Sequence, residues 1–373
     1  MNTTRPLVIH ELLPNEIMGV IFEEHTKQEW RAPAIDGRVC RIWRQAVLNT
    51  PRAWMYLEIN YDKPPRIKEL REWLHRSGSA PLYIRVNKVF TLNGHLDEQP
   101  LYDMLGGCHT RIASLRLPLG DPSFFEKRDF PCLRLLDIDM WYSVNFLARP
   151  VRWDSMLELR SLRLSATRAF PVQWSELTQL EVLVLYDTTL TSFPQHSLSL
   201  ATLVLDNVSV DDLISSPVTF LSLTYLSLYG VIGLKLYIDA PCLVTFHENC
   251  DSIPEPFSSP VPSLVEYGVF LPSSDDVNPA KWHRYFPNVS RLSIRAHWSV
   301  LISFLRSLSG DPHSLPALQT ISARMLGASF TEEKQAIMKG LIQVRRDLML
   351  YSETEPPFQI PLFFGQVSHC LSK

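Results

Sequence analysis

Loops that cradle phosphate groups are built from glycine, and this chain has little of it: 14 glycines against 28 prolines in 373 residues. Turns are therefore expected to be set by proline. No GxGxxG, GxSxG, HExxH or phosphate-loop signature occurs. Neither sign of charge is in excess. A net charge of -3 gives no electrostatic reason to expect a nucleic-acid backbone as partner. Cysteine is sparse too. Cys40, Cys108, Cys132, Cys242, Cys250 and Cys370 lie far apart and form no CxxC pair, which points to small buried thiols in a reducing compartment. The start MNTTRPLVIHELLPNE lacks the unbroken apolar core of a signal peptide. One stretch, 220–238, has the length of a membrane span. Lys235 interrupts it, Tyr229-Gly230 reads as a turn, and its leucines keep the phase of a repeat described below. The expectation is a soluble intracellular protein, cytoplasmic or nuclear, with no membrane partner.

The chemistry-bearing residues do not assemble into a catalytic pattern. His247, Glu248 and Cys250 in FHENCD fit no common zinc spacing. Cys108 and His109 are adjacent, but a nucleophile and its base are brought together by a fold, not by adjacency. No catalytic residue, metal site or cofactor is expected, and the chain is not expected to be an enzyme.

What is present begins with two short apolar helices. Pro14 suits the first turn of a helix, and Glu16 sits near its positive dipole end. Ile17 and Ile21 are one turn apart, as are Met18 and Phe22, so the apolar arc is wide. After a polar stretch containing Pro33, a second helix is expected over Arg38 to Leu48. Val39, Ile42 and Ala46 make one stripe, and Cys40, Trp43 and Val47 another. So small a segment cannot bury two stripes by itself. One should face its own core and the other something else. A further helix is expected over 64–79, with stripe Ile67, Leu70, Leu74 and a stop at Gly78, followed by an alternating strand PLYIRV.

From about residue 110 the pattern LxxLxL recurs. It reads Ile112, Leu115, Leu117; Leu133, Leu136, Ile138; Leu159, Leu162, Leu164; Leu180, Leu183, Leu185; Leu200, Leu203, Leu205; and Leu223, Leu226, Leu228. Weaker copies are Leu264, Tyr267, Val269 and Val289, Leu292, Ile294, with Leu318 and Ile321 as a final partial one. The step, roughly 20 to 26 residues, is that of leucine-rich repeats. Each unit supplies a strand of a parallel sheet, and its leucines need neighbouring units to be buried. Two irregularities stand out. Gly120, Thr167, Thr188, Val208 and Val231 occupy positions where regular repeats place a buried Asn or Cys. Leu243 and Phe246 begin a copy that has Glu248 in an apolar position, before the proline- and serine-rich DSIPEPFSSPVPS, read as an exposed loop; either the solenoid is interrupted there or the copy is out of phase. A helix over 298–308 and another started by Thr331, with apolar face Ile337, Leu341, Val344 and Leu348, are expected near the end, the latter as a cap on the array.

The opening segment resembles the F-box, in particular that of the leucine-rich F-box families of mushroom-forming fungi. The resemblance rests on Leu13-Pro14-x-Glu16-Ile17, Ile21-Phe22, Val39-Cys40-Arg41-x-Trp43-Arg44 and Thr50-Pro51-x-x-Trp54, and extends through RSGSAPL to about residue 86. The leucines usual between the two helices are absent from TKQEWRAPAIDGR. The resemblance implies a substrate-recognition subunit of an SCF-type ubiquitin ligase. Leu13, Pro14, Ile17, Ile21, Val39, Cys40, Trp43 and Arg44 would then bind a Skp-family adaptor, and through it a cullin, or support the fold that does. The alternative is a non-catalytic leucine-rich interaction scaffold. The fold class expected is α/β: an all-α F-box-like domain over 8–58, a linker helix and first strand over 59–109, a leucine-rich solenoid over 110–351 with a C-terminal capping helix, and a tail over 352–373.

In each LxxLxL strand the residues between leucines face outward. Arg116, Asp137, Arg163, Tyr186 and Tyr229 are therefore candidates to touch a substrate protein, whose identity the repeats do not encode. Arg and Asp alternating on neighbouring strands would equally make cross-strand ion pairs.

Overall fold

The computed structural model describes residues 13–60, 66–87, 99–118, 123–126, 128–140, 151–166, 172–190, 199–210, 218–231, 238–249, 257, 259–271, 279–311, 313–326, 331–342 and 349–352. The chain is α/β and divides into two compact units. The first comprises residues 1–240 and 254–258, and the second residues 241–253 and 259–373.

The first unit starts with helices Asn15–Gln28, Ala32–Asp36 and Arg41–Leu48 and a 3-10 turn, Pro51–Trp54. Pro14 precedes the first helix, and its carbonyl accepts from the amides of Ile17 and Met18, both at 3.1 Å. The second expected helix begins at Arg41, not Arg38, because the Sγ of Cys40 accepts from the amide of Trp43 and caps it. A short helix fills the stretch between, where no leucines mark one. It is held by its buried Ala32 and Pro33 and by the Asp36 carboxylate, 3.2 Å from Nδ1 of His25. The core of this segment is Met18, Phe22, Ala46, Val47, Ala53 and Trp54. The Trp54 indole donates to the carbonyl of Val47 at 3.0 Å and meets Trp73 edge-on at 4.7 Å. Trp73 lies on the helix Ile67–Arg76, which ends at Gly78 with φ +54°.

Eight strands of the first unit run parallel in chain order: Tyr56–Asn60, Leu82–Asn87, Ile112–Pro118, Leu135–Met140, Ser161–Ala166, Val182–Tyr186, Thr202–Asp206 and Tyr225–Tyr229. The sheet thus begins at Tyr56, ahead of the first strand read from sequence and across the boundary expected at residue 58. Leu57, Ile84, Leu115, Leu136, Leu162, Leu183, Leu203 and Leu226 share one register row, and all are buried. The strands from Ser161 to Thr202 are entered by the same backbone device. The carbonyl of Arg134 accepts from Arg160 and Ser161, that of Arg160 from Glu181 and Val182, and that of Glu181 from Ala201 and Thr202.

Among the described residues no Asn ladder stabilises the turns that leave the strands. Asp187, Asn207 and Gly230 each adopt positive φ at the corresponding place, and the amides of Asp187 and Asn207 donate to the carbonyls of Asp206 and Tyr229. Backbone therefore does here what a buried side chain does in more regular repeats. Gly230 also lies close to Asn207: a Cβ at this position would collide with the Asn207 Oδ1.

The second unit holds five parallel strands: Thr245–Asn249, Glu266–Leu271, Arg291–Ala296, Thr320–Met325 and Met349–Ser352. The phase expected at Leu243 and Phe246 is correct, and Glu248 does occupy the interior. Its Oε1 accepts from the hydroxyl of Tyr267, while Oε2 is shielded and has no hydrogen-bond partner. Burial pushes the Glu248 carboxyl up to about 7, against the opposing pull of the Tyr267 hydrogen bond. In the supposed loop, Phe257 is buried and bridges Ile238 in the first unit, so at this residue the stretch is not exposed; residues 250–256 and 258 lie outside the described residues.

Helix Trp298–Gly310 buries Leu301, Phe304, Leu305 and Leu308 as expected. The helix Glu332–Ile342 departs from expectation. Met338 is fully buried whereas Ile337 is 42% exposed, and Val344 and Leu348 lie outside the described residues. The helix is followed by another strand, Met349–Ser352, paired with Thr320–Ala323. It therefore does not close the array. Among the described residues no helix is long and apolar enough to cross a membrane.

Candidate functional site

The N-terminal helices put their surplus apolar side chains on the outside. On the first helix Met18 and Phe22 are 2% and 1% exposed, while Ile17 and Ile21, on the other arc, are 47% and 43% exposed. Val20, Ile35, Val39, Ile42 and Leu48 are also exposed. Helical periodicity makes the division physical. Residues four apart share a face, so Met18 and Phe22 point inward together and Ile17 and Ile21 outward together. Beside them an open groove of about 1000 Å³ runs between the two longer helices, lined by Gly19, Val20, Ile42, Ala46, Thr50 and Pro81 among others.

The expected adaptor-contact residues divide by position. Pro14, Ile17, Ile21 and Val39 are exposed, and Leu13 is half-buried. Cys40 caps its helix. Trp43 is half-buried, with its ring edge-on to Phe22 at 5.4 Å. Arg44 donates from Nε to the carbonyl of Gly37 at 2.9 Å, tying the second helix to the end of the short one. Trp43 and Arg44 thus hold the helices together as well as bordering the exposed face. Val20, Ile35, Ile42 and Leu48 belong to the same surface and were missed. The sequence carried only part of their signal: Ile42 shares a stripe with Val39 and Ala46, and of these only Ala46 turns inward.

The second candidate surface is the sheet face opposite the leucines. Register places Glu58, Arg85, Arg116, Asp137, Arg163, Val184, Val204 and Ser227 in one row. Arg116 Nε lies 3.3 Å and Arg163 Nε 3.9 Å from the Asp137 carboxylate, which is almost wholly buried. Burial raises the Asp137 pKa, and the charges of Arg116, Arg163 and Arg85 pull it back. Arg163 also lies 4.6 Å over the ring of Tyr186. Arg116, Asp137, Arg163 and Tyr186 therefore form one connected chain of charge contacts, although the shielded Asp137 Oδ2 has no hydrogen-bond partner. Tyr229 stands apart, 42% exposed.

His247 and Glu248 point to opposite faces of their strand, so they do not converge on one ion; Cys250 is outside the described residues. Among the described residues no group of three His, Cys, Asp or Glu side chains could hold a metal ion. The Cys108 thiol is buried, which raises its pKa, and it donates to the carbonyl of Leu105 at 3.3 Å. His109 sits instead 2.7 Å from the carbonyl of Gly106. Comparison with known proteins finds no family that matches the chain, and no curated protein matches it either.

Proposed function

We propose that this chain is a substrate-recognition subunit of an SCF-type ubiquitin ligase. Its N-terminal helices would dock on a Skp-family adaptor, and through it a cullin, and its leucine-rich repeats would hold a target protein. One observation carries the reading: seven large apolar side chains between Ile17 and Leu48 stand exposed on helices whose core is already filled by Met18, Phe22, Val47 and Trp54. Clustered exposed apolar side chains on a soluble domain mark an interaction surface, and Trp43 at its border has the character of an energetic anchor. The chain itself would break no bond. It would raise the local concentration of a target lysine near a charged conjugating enzyme.

The test is co-purification with a Skp-family adaptor, comparing wild type with Ile17→Asp/Ile21→Asp. Both side chains are exposed, so the variant is expected to keep its circular-dichroism spectrum and lose the adaptor. Equal recovery of both proteins rejects the reading. Ubiquitination of a bound target in a reconstituted ligase then separates a receptor from a scaffold that only binds.

A further inference from the structure

The outer face of the first unit changes character along the sheet. From Glu58 to Arg163 it is charged and internally paired: Asn87 donates to Glu58 at 2.7 Å, and Asp137 is shared between Arg116 and Arg163. Beyond Arg163 the same row continues as Val184, Val204 and Ser227, and Val204 and Ser227 are almost fully covered. The next row sets Tyr186, Asp206 and Tyr229 side by side on adjacent strands, roughly 4.8 Å apart. Asp206 thus lies between two tyrosines in register, with the half-buried Val184 beside them.

Asp206 lacks the counter-charge that Asp137 has. Its Oδ1 is shielded from solvent with no hydrogen-bond partner, and the neighbouring Asp187 adds charge of the same sign. The nearby groups are committed elsewhere. Arg163 lies between Asp137 and the ring of Tyr186, and Asn207 donates its amide to Asp187 at 3.2 Å. A desolvated carboxylate oxygen left unpaired is unfavourable, and a cation brought to it relieves both that cost and the repulsion from Asp187. The face of a tyrosine ring attracts cations, and Arg163 over Tyr186 already uses one ring in this way. Phosphate groups would be repelled here, which argues against a nucleic acid.

We propose that the Tyr186–Asp206–Tyr229 row receives a lysine or arginine side chain of the bound protein. The side chain's stem lies along Val184, and its charged end meets Asp206 between the two tyrosines. This rests on the reading of the repeat face as the target-binding surface and gives that target a chemistry: an exposed basic residue.

The probe is a displayed library of random heptapeptides, panned on the purified full chain. Wild type is expected to enrich peptides carrying Lys or Arg, and Asp206→Asn to lose that enrichment. For one selected synthetic peptide, replacing its basic residue with norleucine should weaken binding to wild type about tenfold and binding to Asp206→Asn hardly at all, the signature of a direct pair. Tyr229→Ala, at an exposed ring, should weaken it several-fold. Asp206→Asn should melt no lower than wild type, since it removes a repulsion. Failure to select any peptide, selection of peptides without a basic residue, or an equal norleucine effect on both proteins overturns the proposal. Adaptor capture by Asp206→Asn is expected to be unchanged. Loss of adaptor binding in the N-terminal variants would therefore bear on the ligase reading alone, and loss of the peptide preference on this one alone.

Discussion

A glutamate inside the apolar layer makes the second unit's stability depend on pH in a direction opposite to that of most carboxylates. Glu248 has its pKa raised from 4.5 to about 7 in the folded chain. Below pH 4.5 the side chain is protonated in both states and the folded state bears no ionisation penalty. Between pH 4.5 and 7 the unfolded chain releases the proton and the folded chain keeps it, so stability falls as pH rises. Above pH 7 the loss is complete, at about 3 kcal/mol for a shift of this size. Most of that, roughly 2 kcal/mol or more, falls between pH 5 and pH 8. Glu248→Gln keeps the shape and an acceptor for the Tyr267 hydroxyl but removes the ionisation. The variant should match wild type closely at pH 5 and exceed it by about 2 kcal/mol at pH 8. His247 is shifted down by burial and stabilises in the other direction, above its unfolded pKa. It is present in both proteins, so the difference between them isolates Glu248. Hydrogen exchange of the amides of Tyr267 and Val269, compared between the two proteins at matched pH, reads the free energy of opening this layer without requiring the whole chain to unfold as one. A difference that does not change with pH, or that shrinks as pH rises, would refute the assignment of Glu248 as a buried acid.

Three further outcomes follow from the packing. Phe22→Ala should cost about 3 to 5 kcal/mol, because it empties the core of the N-terminal helices, whereas Ile17→Asp/Ile21→Asp should change stability by roughly 0.5 kcal/mol; thermal melting by circular dichroism compares them. Gly230→Ala should cost about 1 kcal/mol or more, since it needs positive φ and meets Asn207, while Asn207→Gly should relieve strain at its own positive φ, and denaturant midpoints would report both. Arg116→Ala/Arg163→Ala should cost about 1 to 3 kcal/mol at pH 7 by stranding the buried Asp137 carboxylate. That loss should shrink on acidification, because a protonated Asp137 no longer needs the cations, and a cost independent of pH would remove the ion pairs from the argument.

The amphipathic division of the N-terminal helices was half legible. Two apolar stripes on one short segment required one of them to stay outside, and spacing alone sorted Met18 with Phe22 and Ile17 with Ile21. Which pair turned inward depended on Trp54 and Ala53, dozens of residues away, filling the space beneath Phe22 and Met18. The same holds for Met338 and Ile337. Both fit a helical stripe within one residue's rotation, and only the surface they pack on chose between them.

Local pattern determined the period of the repeat and the identity of its buried leucines, because each depends on residues a few positions apart. Three-dimensional packing decided the rest. The strands Tyr56–Asn60 and Met349–Ser352 form because a neighbouring strand offers an open edge of hydrogen-bonding groups; YLEIN carries an alternating strand signal of its own, whereas MLYS does not. Glu248 could be read as out of place in an apolar position, but its stay in the core is explained only by Tyr267, which the fold brings across from the next strand. The separation of Asp137, which has its arginines, from Asp206, which has none, is likewise a matter of register between strands. Sequence spacing puts both aspartates on the outward face, and only the stacking of the strands decides what stands beside them.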